Sequence, residues 1–193
     1  MQVQISVDPI TTLATQSEVS IAFAYKRILD LEVVNGGLGG FHLTEKELEV
    51  AQIKDYDSVE AENPASWTER FDVNNWGFIV ARINDKRVGG AVLAFDTPGV
   101  HLLEDRRDLA LLWDIRVKHG LRGQGLGAAL FQAAEKWALK RGCSQLKIET
   151  QNTNYAACKF YAAMGCTLQV INRRAYPNLP EEVQMLWYKD LQA

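Results

Sequence analysis

The feature that most constrains this chain is the turn Arg122-Gly123-Gln124-Gly125-Leu126-Gly127. It lies between an apolar β-rich run, Leu109–Val117, and a segment in which Leu126, Leu130, Ala133 and Trp137 recur at helical spacing. A strand that passes through glycines into a helix leaves unpaired amides at the helix N-terminus, and glycine lets the backbone come close to a ligand. Those amides and the positive end of the helix dipole attract phosphate, and Arg122 stands where it can add a charge-assisted hydrogen bond. Gly142, directly after Lys140-Arg141, stops the helix.

Several anion-binding readings compete for such a junction. The P-loop is excluded because the spacing G-x-x-x-x-G-K-[ST] is absent. The dinucleotide fingerprint comes closer: Gly123, Gly125 and Ala128 match G-x-G-x-x-A, and Glu149 lies about 20 residues on, at the end of the next strand. However, the stretch after Glu149 is too short for the remaining layers of a doubly wound sheet, and the segments before the turn read as antiparallel hairpins.

The rest of the chain sets the frame. Residues 1–8 alternate polar and apolar side chains and read as a strand. Ser17–Val34 places Val19, Ala22, Phe23, Ile28, Leu29 and Leu31 at spacings that predict a helix, with Glu18 in its first turn and Asn35-Gly36-Gly37 as its stop. The stretch from Phe41 to about Glu62 predicts one strand and an acidic connection. Ser66 and Glu69 have capping-box spacing for a short helix near Trp67. Trp76–Arg82 and Arg87–Phe95, divided by Asn84-Asp85-Lys86, predict a hairpin. A β-α-β-α-β tail follows, with strands at Leu109–Val117, Gln145–Thr150 and Val183–Tyr188 and a second helix at Asn154–Met164 stopped by Gly165. The expected class is therefore α+β, with a mixed sheet in a single domain over 1–193.

Composition removes several functions. The formal charge of -3 supplies no basic surface for nucleic acid. No apolar run is long enough to span a bilayer, and the N-terminus lacks the pattern of a secretory signal, so a cytoplasmic protein is expected. Cys143, Cys158 and Cys166 form an odd set without metal spacing, and His42, His101 and His119 stand far apart. Neither a disulfide framework nor a metal site is expected.

Arg122-x-x-Gly125-x-Gly127, preceded by Ile115-Arg116-Val117, resembles the [RQ]-x-x-G-x-[GA] motif of the GNAT superfamily of N-acetyltransferases. Further on, Glu149-Thr150-Gln151-Asn152-x-Asn154-x-Ala156-Ala157-Cys158-Lys159-Phe160-Tyr161-x-x-x-Gly165 resembles the streptothricin acetyltransferase branch, as do Asp114 and the stretch from Glu182-Val183 to Leu186-Trp187-Tyr188. The resemblance is strongest from about Trp76 to Tyr188. It implies a GNAT fold: a central, mostly antiparallel twisted sheet flanked by helices, with a splayed strand pair at the coenzyme site and an acetyl-CoA-binding core over about 76–190. It also implies that the co-substrate is acetyl-CoA and the acceptor a primary amine, of a streptothricin-like antibiotic or another small molecule. A protein N-terminal or lysine acetyltransferase is the first alternative, and a non-catalytic acyl-CoA sensor the second. The assembly expected is a monomer or homodimer.

By the same resemblance, the backbone of Arg122, Gly123, Gln124, Gly125, Leu126, Gly127 and Ala128 holds the coenzyme pyrophosphate. Ile115, Arg116 and Val117 face the pantetheine arm. Asn154 caps its helix and touches the pantetheine or its surroundings. Tyr161 contacts coenzyme and acts as the acid, since a phenol with reference pKa about 10 can donate a proton to a departing thiolate whose thiol titrates near about 8.5. Asp114 and Glu149 compete for the role of base or amine-attracting carboxylate; Asp114, inside an apolar run, is costly to bury unless paired. Cys158 lies in the first turn of a helix, where thiolates are stabilised, but Ala156-Ala157-Cys158 reads better as a small-residue packing face. Trp113, Trp137 and Trp187 read as core.

Overall fold

The structure, a computed structural model, describes residues 2–192. In chain order its elements are β1 (Gln4–Val7), a 3-10 segment over Ile10–Glu18, β2 (Phe23–Val33), β3 (Phe41–Lys54), α1 (Pro64–Arg70), β4 (Gly77–Ile83), β5 (Lys86–Phe95), β6 (Leu109–Val117), α2 (Leu126–Leu139), β7 (Gln145–Gln151), α3 (Tyr155–Ala163), β8 (Thr167–Asn172) and β9 (Gln184–Asp190). The chain packs as two compact units. One gathers the N-terminal stretch up to Ala22, Asp55–Ile148 and the C-terminal stretch from Tyr188; the other gathers Phe23–Lys54 and Glu149–Trp187.

In the first unit the strand order is β1-β4-β5-β6-β7. Every pairing is antiparallel except β6 with β7, which is parallel, as the crossover through α2 requires. The β4–β5 hairpin closes through Asn84 and Asp85, both with positive φ (50° and 60°), the tight turn whose twist matches its strands. α2 buries Leu126, Leu130, Phe131, Ala134, Trp137 and Ala138, and Trp137 meets Phe95 edge-on at 6.3 Å. A separate cluster is built from Leu13, Trp67, Trp76, Phe78, Val80, Val92 and Leu111, with Trp113 packed against it.

In the second unit β2 and β3 form a long hairpin from Phe23↔Lys54 to Val33↔Phe41. The predicted helix over Ser17–Val34 is thus corrected: the 3-10 segment ends at Glu18, residues 19–22 are neither helix nor strand, Phe23–Val33 is strand, and Val34 opens the 3-10 turn Val34–Gly37. Leu29, Leu31 and Val33 alternate with exposed Asp30 and Glu32, a period of two that the additional apolar residues Phe23 and Ile28 disguise as a helical stripe. A register shift between Tyr25 and Arg27 adds to the disguise. Asn35-Gly36-Gly37 accordingly turns a hairpin, with Asn35 and Gly36 at φ 50° and 63°.

α1 is capped by Asn63, whose side chain accepts from Ala65 N, with Pro64 in the first turn; Ser66 instead donates to the carbonyls of Glu60 and Asn63. β8, a short strand with an exposed pattern, was not anticipated. The remaining predicted strands and helices, including the N-terminal strand and the tail through β9, are present within a few residues of their expected bounds.

Candidate active site

The turn after β6 is held open by its own backbone and by few side chains. Arg122 Nε donates to Val117 O at 3.0 Å and its terminal nitrogen to Ala22 O at 3.3 Å, while Gln124 Nε2 donates to Gly120 O at 3.0 Å. Gly123 and Gly125 take φ of 75° and 84°, a region that costs other residues strain. A Cβ at either position would meet nothing within 4 Å, so the space over both glycines is open. Gly125 is the N-cap of α2 and offers no side-chain acceptor to the first-turn amides; the helix ladder begins only with Ala129 N to Gly125 O at 3.0 Å. The Leu126 side chain is buried, which anchors the turn while its amide and those of Gly127 and Ala128 point out of the helix end. Open space, uncapped amides and a helix dipole of one sign make an anion cradle.

Before this turn, β6 and β7 are in register from Leu109↔Gln145 to Leu112↔Ile148, and the ladder ends there although β6 runs on to Val117. On its other edge β6 stays paired with β5, from Ala110 to Val117. Leu112 opposes Leu93 and Asp114 opposes Val92, so Trp113 is an extra residue, a bulge at the point where the β7 ladder stops. Its ring is fixed by Phe71, Trp76 and Trp67, with centroids at 5.3, 5.1 and 6.1 Å. A bulge bends its strand and raises the local twist, and it lies where the parallel ladder ends. Main-chain groups from Trp113 to Val117 are left without a ladder partner on that edge among the described residues.

Asp114 and Arg116 lie side by side, buried. Arg116 Nε donates to both Asp114 oxygens at 2.9 Å, and one terminal nitrogen reaches Asp57 Oδ2 at 2.7 Å and Val19 O at 3.3 Å. Gln16 Nε2 donates to Asp114 Oδ1 at 2.7 Å. Gln16 itself fits because position 90 is glycine: a Cβ there would come within 2.2 Å of Gln16 Oε1. Burial pushes the Asp114 carboxyl up, against the pull of Arg116 and the Gln16 hydrogen bond. The Arg116 side chain, 0% exposed, is committed to these two aspartates, so only its main chain is available at the strand edge.

In the second unit, Glu149 is half-buried on β7. It accepts the phenol proton of Tyr176 and, at 2.9 Å, a hydrogen bond from Gln184 Nε2, both on Oε1. Asn154 caps α3 by accepting from Ala157 N at 3.2 Å. Tyr161 is buried on the same helix, its ring 5.4 Å from that of Phe160. Cys158 is packed against Met185 Sδ at 3.8 Å and directs its thiol to Gln151 O; burial pushes that thiol up to about 12, so it stays protonated and serves packing. Asn152 ties the unit together: it accepts from Val183 N at 2.8 Å, and its amide donates to Leu29 O at 3.2 Å.

Gln16, Asp57, Tyr176 and Gln184 were not picked out from the sequence. Gln16, Asp57 and Tyr176 lie in stretches without a motif, Gln184 falls within the Glu182–Tyr188 stretch without being one of the residues that carry its resemblance, and only tertiary pairing reveals their partners. Among the described residues no group of three or more His, Cys, Asp or Glu side chains is placed to hold a metal ion, and no helix is long and apolar enough to cross a membrane.

Residues 43–166 match the model of the acetyltransferase (GNAT) family. Streptothricin acetyltransferase of Escherichia coli is 40% identical over 84 residues, which are 42% of this chain and 48% of that protein. The chain thus spans about half the length of the curated relatives it matches. Among solved structures, nourseothricin acetyltransferase superposes with a TM-score of 0.76 at 19% identity, covering all of both chains. A protein of Bacillus anthracis str. Ames, solved in complex with acetyl coenzyme A, superposes with a TM-score of 0.75 at 23% identity over 100% of this chain and 99% of that one. These likenesses show the fold, which is the mixed, mostly antiparallel sheet flanked by helices that the motifs implied. On the extent of the family match, the chain belongs to the GNAT acetyltransferase family.

Proposed function

We propose that this protein transfers the acetyl group of acetyl-CoA to a primary amine, of a streptothricin-like antibiotic or another small cationic amine. The observation that carries the proposal is the cradle at Gly123–Ala128, where open space, two left-handed glycines and an uncapped helix end coincide in a chain of the acetyltransferase family. The coenzyme diphosphate would lie on those amides, and the unladdered edge of Trp113–Val117 would hydrogen-bond the pantetheine amides. Likeness to streptothricin acetyltransferase supports the choice of acceptor.

The reaction is a direct attack. A neutral amine adds to the thioester carbon while main-chain amides of β6 stabilise the oxyanion; the nitrogen then gives up a proton to the amine-facing carboxylate, the C–S bond breaks, and Tyr161 supplies the proton that coenzyme A sulfur takes on leaving and regains one from solvent. Of the two carboxylates, Glu149 receives the amine-facing role. Asp114 is enclosed with Arg116 and Gln16 around it, whereas Glu149 is half-buried and carries both of its hydrogen bonds on one oxygen. Asp114 then serves to hold β6. The test is a thiol-release assay with acetyl-CoA against a panel of amines that includes streptothricin, aminoglycosides, lysine peptides and peptides with free N-termini. Turnover with streptothricin or another small amine is expected. Turnover confined to peptides would reassign the acceptor, and binding of acetyl-CoA without transfer to any amine would overturn the catalytic reading.

A further inference from the structure

Glu149, Gln151, Tyr176 and Gln184 form a polar chain in the second unit that no motif accounts for as a group. Glu149 and Gln151 are two residues apart on β7, Gln184 opens β9, and Tyr176 comes from the stretch between β8 and β9. Gln151 Nε2 donates to the Tyr176 oxygen at 2.8 Å. A phenol has one proton, and here that proton goes to Glu149 Oε1. Gln184 Nε2 donates to the same oxygen at 2.9 Å. The direction of donation is therefore set from Gln151 through Tyr176 to Glu149, and both donors converge on Oε1. Neither reaches Oε2.

A loop that needed only to be fastened to the sheet would be served by any pairing of these groups. Two neutral donors on one carboxylate oxygen do something more specific: they fix the rotation of the carboxylate plane and satisfy one oxygen, leaving the lone pairs of the other to accept a proton or an ammonium hydrogen. We infer that Tyr176 is a positioning residue for Glu149, holding it by Oε1, with Gln151 and Gln184 in support, so that Oε2 is presented to the acceptor amine. The inference rests on the amine-facing role given to Glu149 above. It also gives a purpose to Gln151, which stands in the Glu149–Gly165 motif without one.

Two single variants and their combination test this, by steady-state kinetics with acetyl-CoA and the best amine of the panel. Tyr176→Phe keeps the ring and removes the proton. It is expected to lower kcat about tenfold while leaving KM for acetyl-CoA unchanged. Glu149→Gln is expected to lower kcat further, and the double variant to be no slower than Glu149→Gln alone, because Tyr176 acts only through the carboxylate. Wild-type kcat in Tyr176→Phe, or losses that multiply in the double variant, would overturn the positioning role and leave Glu149 its own. Full activity in Glu149→Gln would overturn the reading of Glu149 and this inference with it, as would the absence of transfer by the wild-type protein to any amine. Circular dichroism and a thermal melt check the fold of each variant. If Tyr176→Phe does not fold, Gln184→Leu, which removes the other donor to Oε1, goes through the same cycle with the same expectations.

Discussion

Tyr161 and Arg116 are both large and buried, and the structure asks different things of them. Tyr161 lies on α3, and its proposed task needs only the phenol proton. Tyr161→Phe is therefore expected to lower kcat roughly a hundredfold with little change in acetyl-CoA affinity, measured by thiol release and calorimetry; unchanged turnover would remove its acid role. Arg116 neutralises two aspartates in a region where none of the three side chains reaches much water. Arg116→Met would leave Asp114 and Asp57 without a counter-charge, and urea denaturation should show a loss of about 3–5 kcal/mol. Adding Asp114→Asn should return part of it. At this scale the sequence was informative about chemistry and silent about commitment. Asp114 within an apolar run signalled a carboxylate that had to be paired, but its partners Gln16 and Asp57 lie far away in the chain, and no local pattern names them.

Elements whose signals are local were readable in advance. The glycine turn, α2 with its Gly142 stop, the Asn84-Asp85 hairpin and the Asn154 cap each owe their form to residues within a few positions, through positive φ, helical spacing or a side-chain acceptor. β3 was expected as a strand after Phe41, but β2 was not readable, because the case for a strand there comes from partners across a hairpin, from Phe41 opposite Val33 to Lys54 opposite Phe23, while the local apolar spacing imitates a helix. The bulge at Trp113 escaped for the same reason: an extra residue exists only relative to the neighbouring strand. The turn gives the sharpest test at this scale. Gly125→Glu places a side chain at φ 84°, at a cost of about 1–2 kcal/mol, and points a carboxylate into the anion cradle. Calorimetry should then detect no acetyl-CoA binding, and retained affinity would contradict the placement of the diphosphate.

For the molecule as a whole, binding of a co-substrate to the native state alone must raise thermal stability. At a hundredfold excess over its dissociation constant, acetyl-CoA contributes about 2.7 kcal/mol, which for a chain of this size corresponds to an upward shift of the melting point of roughly 5–10 °C. A thermal melt with and without acetyl-CoA reads this directly, and no shift at millimolar concentration would count against the cradle. Where the β6 edge that faced β7 runs on without a ladder beyond Leu112, its hydrogen-bonding groups belong to the polymer itself, and almost every amino acid supplies the same ones. If the pantetheine docks there as proposed, replacement of Ile115 or Val117 leaves that edge in place. Under the proposed assignment, acceptor preference rests on side chains such as Glu149 and Tyr176 and is free to drift toward new amines while the acetyl donor stays recognised.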